Sequence, residues 1–217
     1  MNYVKALTNH YDKEVEYYSD SWLERWHLNK EFKIVSKILD KIVKKNFHKD
    51  GLDIACHAGR YTFLLRKKGL NALGIDTSNK ALDVAMKTKT KLGINKVEFK
   101  KIDATKLKIK LKFDIIILME LLHHLPDNLA IKLFKKTITL LKQDGYLIFD
   151  VKNVNNPVID LVYKKYSSKE LLLITRSLNF FERIAKANGC KIVIKKGLVT
   201  PFWNIEPFII VALRKLE

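Results

Sequence analysis

The sequence predicts an α/β fold: a doubly wound, mainly parallel seven-stranded sheet with helices on both faces, an antiparallel last strand and a helical N-terminal segment. Three observations support this prediction. Strand and helix patterns alternate from residue 50 onward, and two successive strand patterns end the chain. The apolar run at residues 113–119 is interrupted only by Asp114, which is typical of a strand buried on both faces of a parallel sheet.

The length of 217 residues suits one large domain, and no repeat or low-complexity linker divides the chain. We therefore predict a single domain at residues 1–217, with a helical N-terminal cap at residues 1–46 and the core at residues 47–217. The first 30 residues are rich in aromatic side chains, among them Tyr11, Trp22 and Trp26. They either dock a short helix onto the core or cover its cleft, and the two roles are compatible.

The later elements follow from apolar spacing and from capping residues. Residues 31–46 carry one apolar stripe and predict a helix, and Thr77 and Ser78 can cap a helix at residues 79–91. Asp127 can cap a further helix at residues 128–142. Residues 152–179 have no clear place in the sheet. The inward face of the helix at 79–91 is predicted to hold Leu82, Ala85 and Met86. The remaining predicted elements are strands at 96–102, 146–151, 190–195 and 208–213, a helix at 180–188, and a loop at 197–207 with Trp203 at its tip.

The stretch at residues 51–76 organises the predicted fold. It is a buried strand, a tight turn containing Gly59, a helix, and a second strand that ends at Asp76. Such a turn lets a ligand lie against backbone N–H groups at a helix N-terminus. A carboxylate at the tip of the next strand can accept hydrogen bonds from both hydroxyls of a ribose. The stretch therefore predicts a site for an adenosine-containing cofactor.

The turn also indicates which cofactor this is. The spacing G-x-G-x-x-G of a dinucleotide site is absent, and Asp53 just before the turn would repel a pyrophosphate but suit an ammonium and a sulfonium. Asp53, the turn A-C-H-A-G-R and Asp76 resemble the first two motifs of the class I S-adenosylmethionine-dependent methyltransferases, whose usual turn is D-x-G-x-G-x-G. The specific motifs that carry this resemblance lie within residues 49–150. A dehydrogenase that uses NAD is the less favoured alternative.

The resemblance implies a Rossmann-like core, S-adenosylmethionine as the cofactor and a set of site residues. Asp53 would favour the cofactor's amino group, Gly59 would admit its backbone, and Asp76 would hold the ribose. Asp103 and Ala104, at the end of a strand, would hold the adenine. The full cofactor set is Asp53, Ala55, Gly59, Asp76, Thr77, Asp103, Ala104 and Met119.

The acceptor side of the cleft is predicted with less detail. His124 lies in a segment similar to the one that follows the fourth strand in this family. It would be the general base for a hydroxyl or amine acceptor, or else a histidine packed at a helix start. Tyr11, Arg176 and Trp203 are candidate acceptor-binding residues. We predict no metal site, because no Cys and His spacing suggests zinc.

One residue departs from the family pattern. His57 takes the second glycine position of the turn, where ligand and backbone normally approach most closely. Either its side chain turns outward and the cofactor still binds, or the chain is a non-catalytic relative.

Composition limits the partners and the compartment. The chain has 41 Lys and Arg against 23 Asp and Glu, a net charge of +18, which raises RNA as an alternative acceptor. The lysines are spread over almost every segment, so a small-molecule acceptor is favoured over nucleic acid. We find no apolar run long enough to span a membrane and no signal peptide, and we expect a cytoplasmic protein. Cys56 and Cys190 are expected to be small buried side chains, and the oligomeric state is left open.

Overall fold

The computed structural model describes residues 3–15, 29–44, 47–168, 171–200 and 203–216. Within these ranges the chain forms seven strands and seven α-helices. The strands are β1 (Asp50–Ile54), β2 (Asn71–Asp76), β3 (Val97–Lys101), β4 (Phe113–Leu118), β5 (Leu141–Lys152), β6 (Cys190–Thr200) and β7 (Trp203–Lys215). The helices are α1 (Tyr3–Val15), α2 (Lys30–Ile42), α3 (Arg60–Lys67), α4 (Asn79–Lys91), α5 (Asp127–Thr139), α6 (Pro157–Tyr166) and α7 (Leu178–Lys186).

The seven strands pair into one sheet in the order β3-β2-β1-β4-β5-β7-β6. The first five strands in this order are parallel, and β7 pairs antiparallel with both β5 and β6. The predicted fold class is therefore confirmed. Because the chain moves from β3 to the other side of β1 before it enters β4, a crevice opens at the carboxyl ends of β1 and β4, where ligands bind in sheets of this kind.

Side chains of both sheet faces form the core. On one face α2 buries Val35, Ile38, Leu39 and Ile42, as its apolar stripe predicts. The other face holds an aromatic cluster in which the rings of Phe134, Phe149 and Phe181 lie 4.9 to 5.4 Å apart. Polar caps fix where helices begin: Asn29 accepts from the backbone at the start of α2, and Ser78 does so at the start of α4.

Several predicted details are wrong, and packing explains them. Met86 is 45% exposed, because the buried face of α4 runs through Ala81, Leu82, Ala85 and Thr88 instead. Asp127 is the first residue of α5 rather than its cap, and Pro126 takes the cap position. The predicted loop at 197–207 is largely strand, since β6 and β7 pair as far as Thr200 and Trp203. The unplaced stretch at 152–179 contains α6, which Asn156 caps.

The aromatic residues predicted to cap the cleft fall into two groups. Tyr11 lies on α1, whereas Trp22 and Trp26 lie outside the described residues. Among the helices of the described ranges, none combines the length and the apolar character that crossing a bilayer demands.

We predict that Phe134→Ala lowers the free energy of unfolding by about 3–5 kcal/mol, because Phe134 is fully buried in the aromatic cluster and its removal leaves a cavity. The measurement is chemical denaturation followed by circular dichroism. Phe47→Ala is the matched control: Phe47 is 77% exposed, and its loss should change the free energy by no more than about 0.5 kcal/mol. Equal effects of the two substitutions would contradict this account of the core.

Candidate active site

The turn between β1 and α3 has an unusual backbone. Ala55, His57 and Gly59 have φ angles of 60°, 49° and 89°, so all three lie in the left-handed region that favours glycine. These are the three positions that glycine occupies in D-x-G-x-G-x-G. A non-glycine residue in this conformation costs about 1–2 kcal/mol. The fold thus imposes the glycine geometry of the family on Ala55 and His57.

Gly59 is required for a second reason. A Cβ at this position would lie 2.8 Å from the ring of Phe99 and 3.0 Å from the ring of Phe63. The backbone of the turn therefore packs directly on β3 and α3. This packing keeps the N-terminus of α3 open at the carboxyl edge of the sheet.

Asp76 ties the turn to the next strand. Its Oδ2 accepts a hydrogen bond from the backbone N–H of His57 at 2.9 Å, and its Oδ1 accepts one from the N–H of Ser78 at 2.9 Å. Each oxygen keeps lone-pair capacity for a ribose hydroxyl, since a carboxylate oxygen accepts more than one hydrogen bond.

Asp53 is buried beneath the turn. The hydroxyl of Thr62 donates to its Oδ2 at 2.7 Å, and the residue is 1% exposed. Burial raises the pKa of Asp53 to about 7. A positive charge nearby would shift this carboxyl back toward its ionised form.

The ends of β3 and β4 complete this side of the crevice. Asp103 caps a short 3₁₀ helix, Ala104–Lys106, and its Oδ1 accepts from the backbone and the hydroxyl of Thr105 at 2.8 and 2.7 Å. Ala104 is half-buried against the core. Met119, directly after β4, is 3% exposed.

Helix α1 lies over these strand ends. The hydroxyls of Thr8 and Thr77 are 2.6 Å apart, and the hydroxyl of Ser78 donates to Asp12. Tyr11 reaches further, to the segment after β4, where its hydroxyl lies 2.8 Å from Nε2 of His124. The ring of His57 meets the ring of Tyr11 edge to face at 5.9 Å. The imidazole that departs from the family pattern is therefore in contact with α1.

His124 has a defined tautomer. Its Nδ1 lies 2.9 Å from the carbonyl oxygen of Leu172, which can only accept, so Nδ1 carries the proton and Nε2 accepts from Tyr11. Burial lowers the pKa of His124 to about 4, so the ring is neutral at physiological pH. Burial also lowers the pKa of the neighbouring His123, whose ring centroid is 3.9 Å away.

An ion cluster that the sequence did not reveal lies next to the histidines. Nζ of Lys152 is 2.5 Å from Oε1 of Glu120 and 3.1 Å from Oδ2 of Asp150. Oδ1 of Asp150 accepts from the backbone N–H of Glu120 at 2.7 Å, and the ring of Phe208 lies 4.2 Å from Nζ. Glu120 itself has a φ of 58°. We call Glu120, His123, Asp150 and Lys152 the ion cluster.

The charged groups of the ion cluster shift the pKa values of one another. Burial and the Asp150 carboxylate raise the pKa of Glu120. Burial alone would lower the pKa of Lys152, but Asp150 and Glu120 raise it well above its usual range. The ammonium of Lys152 therefore stays charged.

Arg176 was predicted to contact the acceptor, and the structure gives it other partners. Its guanidinium donates to Asp127 at 2.8 and 2.9 Å and to the carbonyl oxygens of Leu122 and Leu125 at 2.7 and 2.6 Å. It thereby fixes the segment that carries His124. The side chain of Trp203 lies outside what the structure describes.

Together these residues can hold an adenosine cofactor with a cationic end. On one side of the crevice, the half-buried carboxylate of Asp76 lies at the tip of β2, the carboxylate of Asp53 is buried under the turn, and Gly59 lies where no Cβ fits. On the other side lie the neutral imidazole of His124 and the ion cluster.

Known proteins resemble this chain in sequence and in fold. A family model described as a methyltransferase domain matches residues 46–195. The ubiquinone biosynthesis O-methyltransferase of Paraburkholderia phymatum is 31% identical over 193 residues, which are 84% of this chain and 82% of that protein. The protein of that name in Nitrosomonas europaea is 29% identical over 151 residues, which are 65% of this chain and 63% of that relative. In fold, the chain is similar to magnesium protoporphyrin IX methyltransferase from Synechocystis PCC 6803 with bound SAH, with a TM-score of 0.69. The two sequences are 17% identical, and the match covers 92% of this chain and 97% of that one.

The fold and the crevice define a class I S-adenosylmethionine-dependent methyltransferase. The chain belongs to the methyltransferase family, and its cofactor is S-adenosylmethionine.

We predict opposite effects for two alanine-to-glycine substitutions in the turn. Ala55→Gly should raise the free energy of unfolding by about 0.5–1 kcal/mol, because relief of the left-handed strain exceeds the entropic cost of glycine. Ala58→Gly is the control; it is not among the residues with positive φ and should lower that free energy by about 0.5–1 kcal/mol. Chemical denaturation measures both, and a loss of stability in Ala55→Gly would refute the strained turn.

We also predict that Asp53→Asn gains free energy of unfolding, relative to the wild type, as pH rises. At a pH between the pKa of Asp53 in the unfolded chain and its pKa in the folded chain, the folded state holds a proton on Asp53 that the unfolded state has released. The free energy of unfolding of the wild type therefore falls as pH rises toward about 7. Asparagine keeps the shape and has no such proton. The free energy of unfolding of Asp53→Asn relative to wild type should therefore be higher at about pH 8 than at about pH 5.

Denaturation at the two pH values checks this prediction, with Asp83→Asn at an exposed position of α4 as the control. A difference between Asp53→Asn and wild type that does not change with pH would show that burial does not perturb Asp53.

Proposed function

We propose that the chain methylates a hydroxyl oxygen of a small aromatic acceptor. The observation that carries this proposal is the pair formed by His124 and Tyr11. A phenol hydroxyl lies 2.8 Å from an imidazole nitrogen whose tautomer is fixed as a proton acceptor. An acceptor phenol in the place of the Tyr11 hydroxyl would meet the same nitrogen. The names of the relatives, O-methyltransferases of ubiquinone biosynthesis, support a phenolic quinone precursor as the acceptor.

The cofactor supplies a methyl group that is already activated on a sulfonium, so the chain has to supply alignment, exclusion of water and a place for the acceptor proton. We assign alignment of the cofactor to Asp53, Ala55, Gly59, Asp76, Thr77, Asp103, Ala104 and Met119. Helix α1 covers the strand ends and excludes water. His124 takes the acceptor proton at Nε2.

The acceptor side has further assigned residues. Tyr11 bonds to Nε2 of His124 and gives up that bond to the acceptor hydroxyl when the acceptor binds. Trp203 is an acceptor residue on sequence grounds alone. Arg176 acts through the segment 122–127, because its bonds to Leu122, Leu125 and Asp127 set the position of His124. We place the protein in the cytoplasm and take RNA as the alternative acceptor on the evidence of its net charge alone.

The test is methyl transfer from labelled S-adenosylmethionine to a prenylated catechol and, in parallel, to total RNA. We expect label in the methyl ether of the catechol. His124→Ala should lower kcat by about 10²- to 10⁴-fold, the usual contribution of a general base. His48→Ala is the matched control, because His48 lies beside Tyr146, away from the crevice, and should leave kcat unchanged. Label in RNA and none in the catechol would overturn the proposal, and an unchanged kcat in His124→Ala would remove its catalytic role.

A further inference from the structure

The ion cluster has the donor set of a divalent-cation site. One carboxylate oxygen of Glu120, one of Asp150 and one ring nitrogen of His123 all lie within 4.8 Å of one another. Two carboxylates and a neutral imidazole are ligands for cations such as Mn²⁺ and Zn²⁺. In this chain, however, the ammonium of Lys152 is bonded to both carboxylates.

Lys152 is the buried cation of the cluster. Its side chain is 3% exposed, that of Asp150 is 3% exposed, and the ring of Phe208 lies 4.2 Å from Nζ. Two carboxylates this close together need a neighbouring positive charge, since an unpaired buried charge is strongly destabilising. A metal ion held by both carboxylates would have to take the space of Nζ.

We propose that Lys152 is a positioning residue that occupies the cation position of the ion cluster and makes methyl transfer independent of divalent metal ions. This inference rests on the proposed function, because it concerns the acceptor side of the same crevice. Lys152 acts through Glu120, which directly follows the buried Met119 at the end of β4. The Glu120 side chain is 36% exposed and is the carboxylate of the cluster that an acceptor can reach.

The charges of the cluster also select the acceptor class. The ammonium of Lys152 is bonded to both acidic side chains, so the cluster has no unpaired positive charge for a phosphate or carboxylate group on the acceptor. A partly exposed carboxylate accepts hydrogen bonds from hydroxyl groups. The acceptors that fit are neutral molecules with more than one hydroxyl, one for His124 and one for Glu120.

The first experiment measures metal binding and does not depend on catalysis. Lys152→Ala removes the ammonium and leaves the three donors, so titration calorimetry with MnCl₂ should show one-to-one binding that the wild type lacks. Lys142→Ala is the matched control: Lys142 also lies between two carboxylates, 2.8 Å from Asp50 and 2.9 Å from Asp114, at the opposite edge of the sheet. It should gain no such binding. Lys152→Met replaces Lys152→Ala if circular dichroism shows that the alanine variant does not fold.

Mn²⁺ binding by the wild type at the ion cluster, or no gain in a folded Lys152 variant, would overturn the inference. A gain in Lys152→Ala that is abolished by the further change Asp150→Asn would support it, since it locates the ion.

The second experiment measures methyl transfer to the prenylated catechol with and without EDTA. Wild-type activity should be unchanged by EDTA, and Lys152→Ala should lose activity that MnCl₂ restores in part, an outcome that a purely structural role of Lys152 does not produce. Activity of the wild type that EDTA abolishes would overturn the inference and leave the proposed function intact. No transfer to hydroxyl acceptors under any condition would overturn the proposed function, and the MnCl₂ titration would still decide the inference.

Discussion

The two hydrogen bonds that Asp76 accepts are the constraint on which the crevice depends. They join the backbone of His57, in the strained turn, to the start of α4 at Ser78, so that the ends of β1 and β2 have a fixed relation. The bond to His57 helps to hold a non-glycine residue with positive φ in its strained conformation. The backbone bonds from Cys56 to Ile75 and from Gly59 to Cys56 act on the same turn.

The acceptor side is fixed in a different way, by buried charge. Arg176 clamps the segment after β4 through Asp127 and two carbonyl oxygens, and Lys152 joins that segment to β5 through Glu120 and Asp150. Arg176 lies 49 to 54 positions from its partners, and Lys152 lies 32 positions from Glu120. Such contacts carry no short-range sequence signal.

This difference explains what the sequence could predict. The alternation of strands and helices, the turn at Gly59 and the acid at Asp76 are local patterns, and they gave the sheet, the crevice and the cofactor class. His124 and Tyr11 were predicted singly, from separate segments, and only the fold shows that they touch. The ion cluster was missed because Asp150 and Lys152 lie at the end of an apolar strand, where they resemble ordinary strand-end charges. The two last strands were predicted, but their extension into residues 197–207 was missed because Pro201 and Pro207 mark a loop by composition, whereas β7 contains Pro207.

Helix α1 spans the boundary between these two sides. It bonds to Thr77 and Ser78 at the end of β2 and, through Tyr11, to His124 after β4. A single element therefore contacts both sides of the crevice. A change in the position of α1 would reach the methyl donor and the methyl acceptor together, so the binding of one is physically coupled to the binding of the other through this helix.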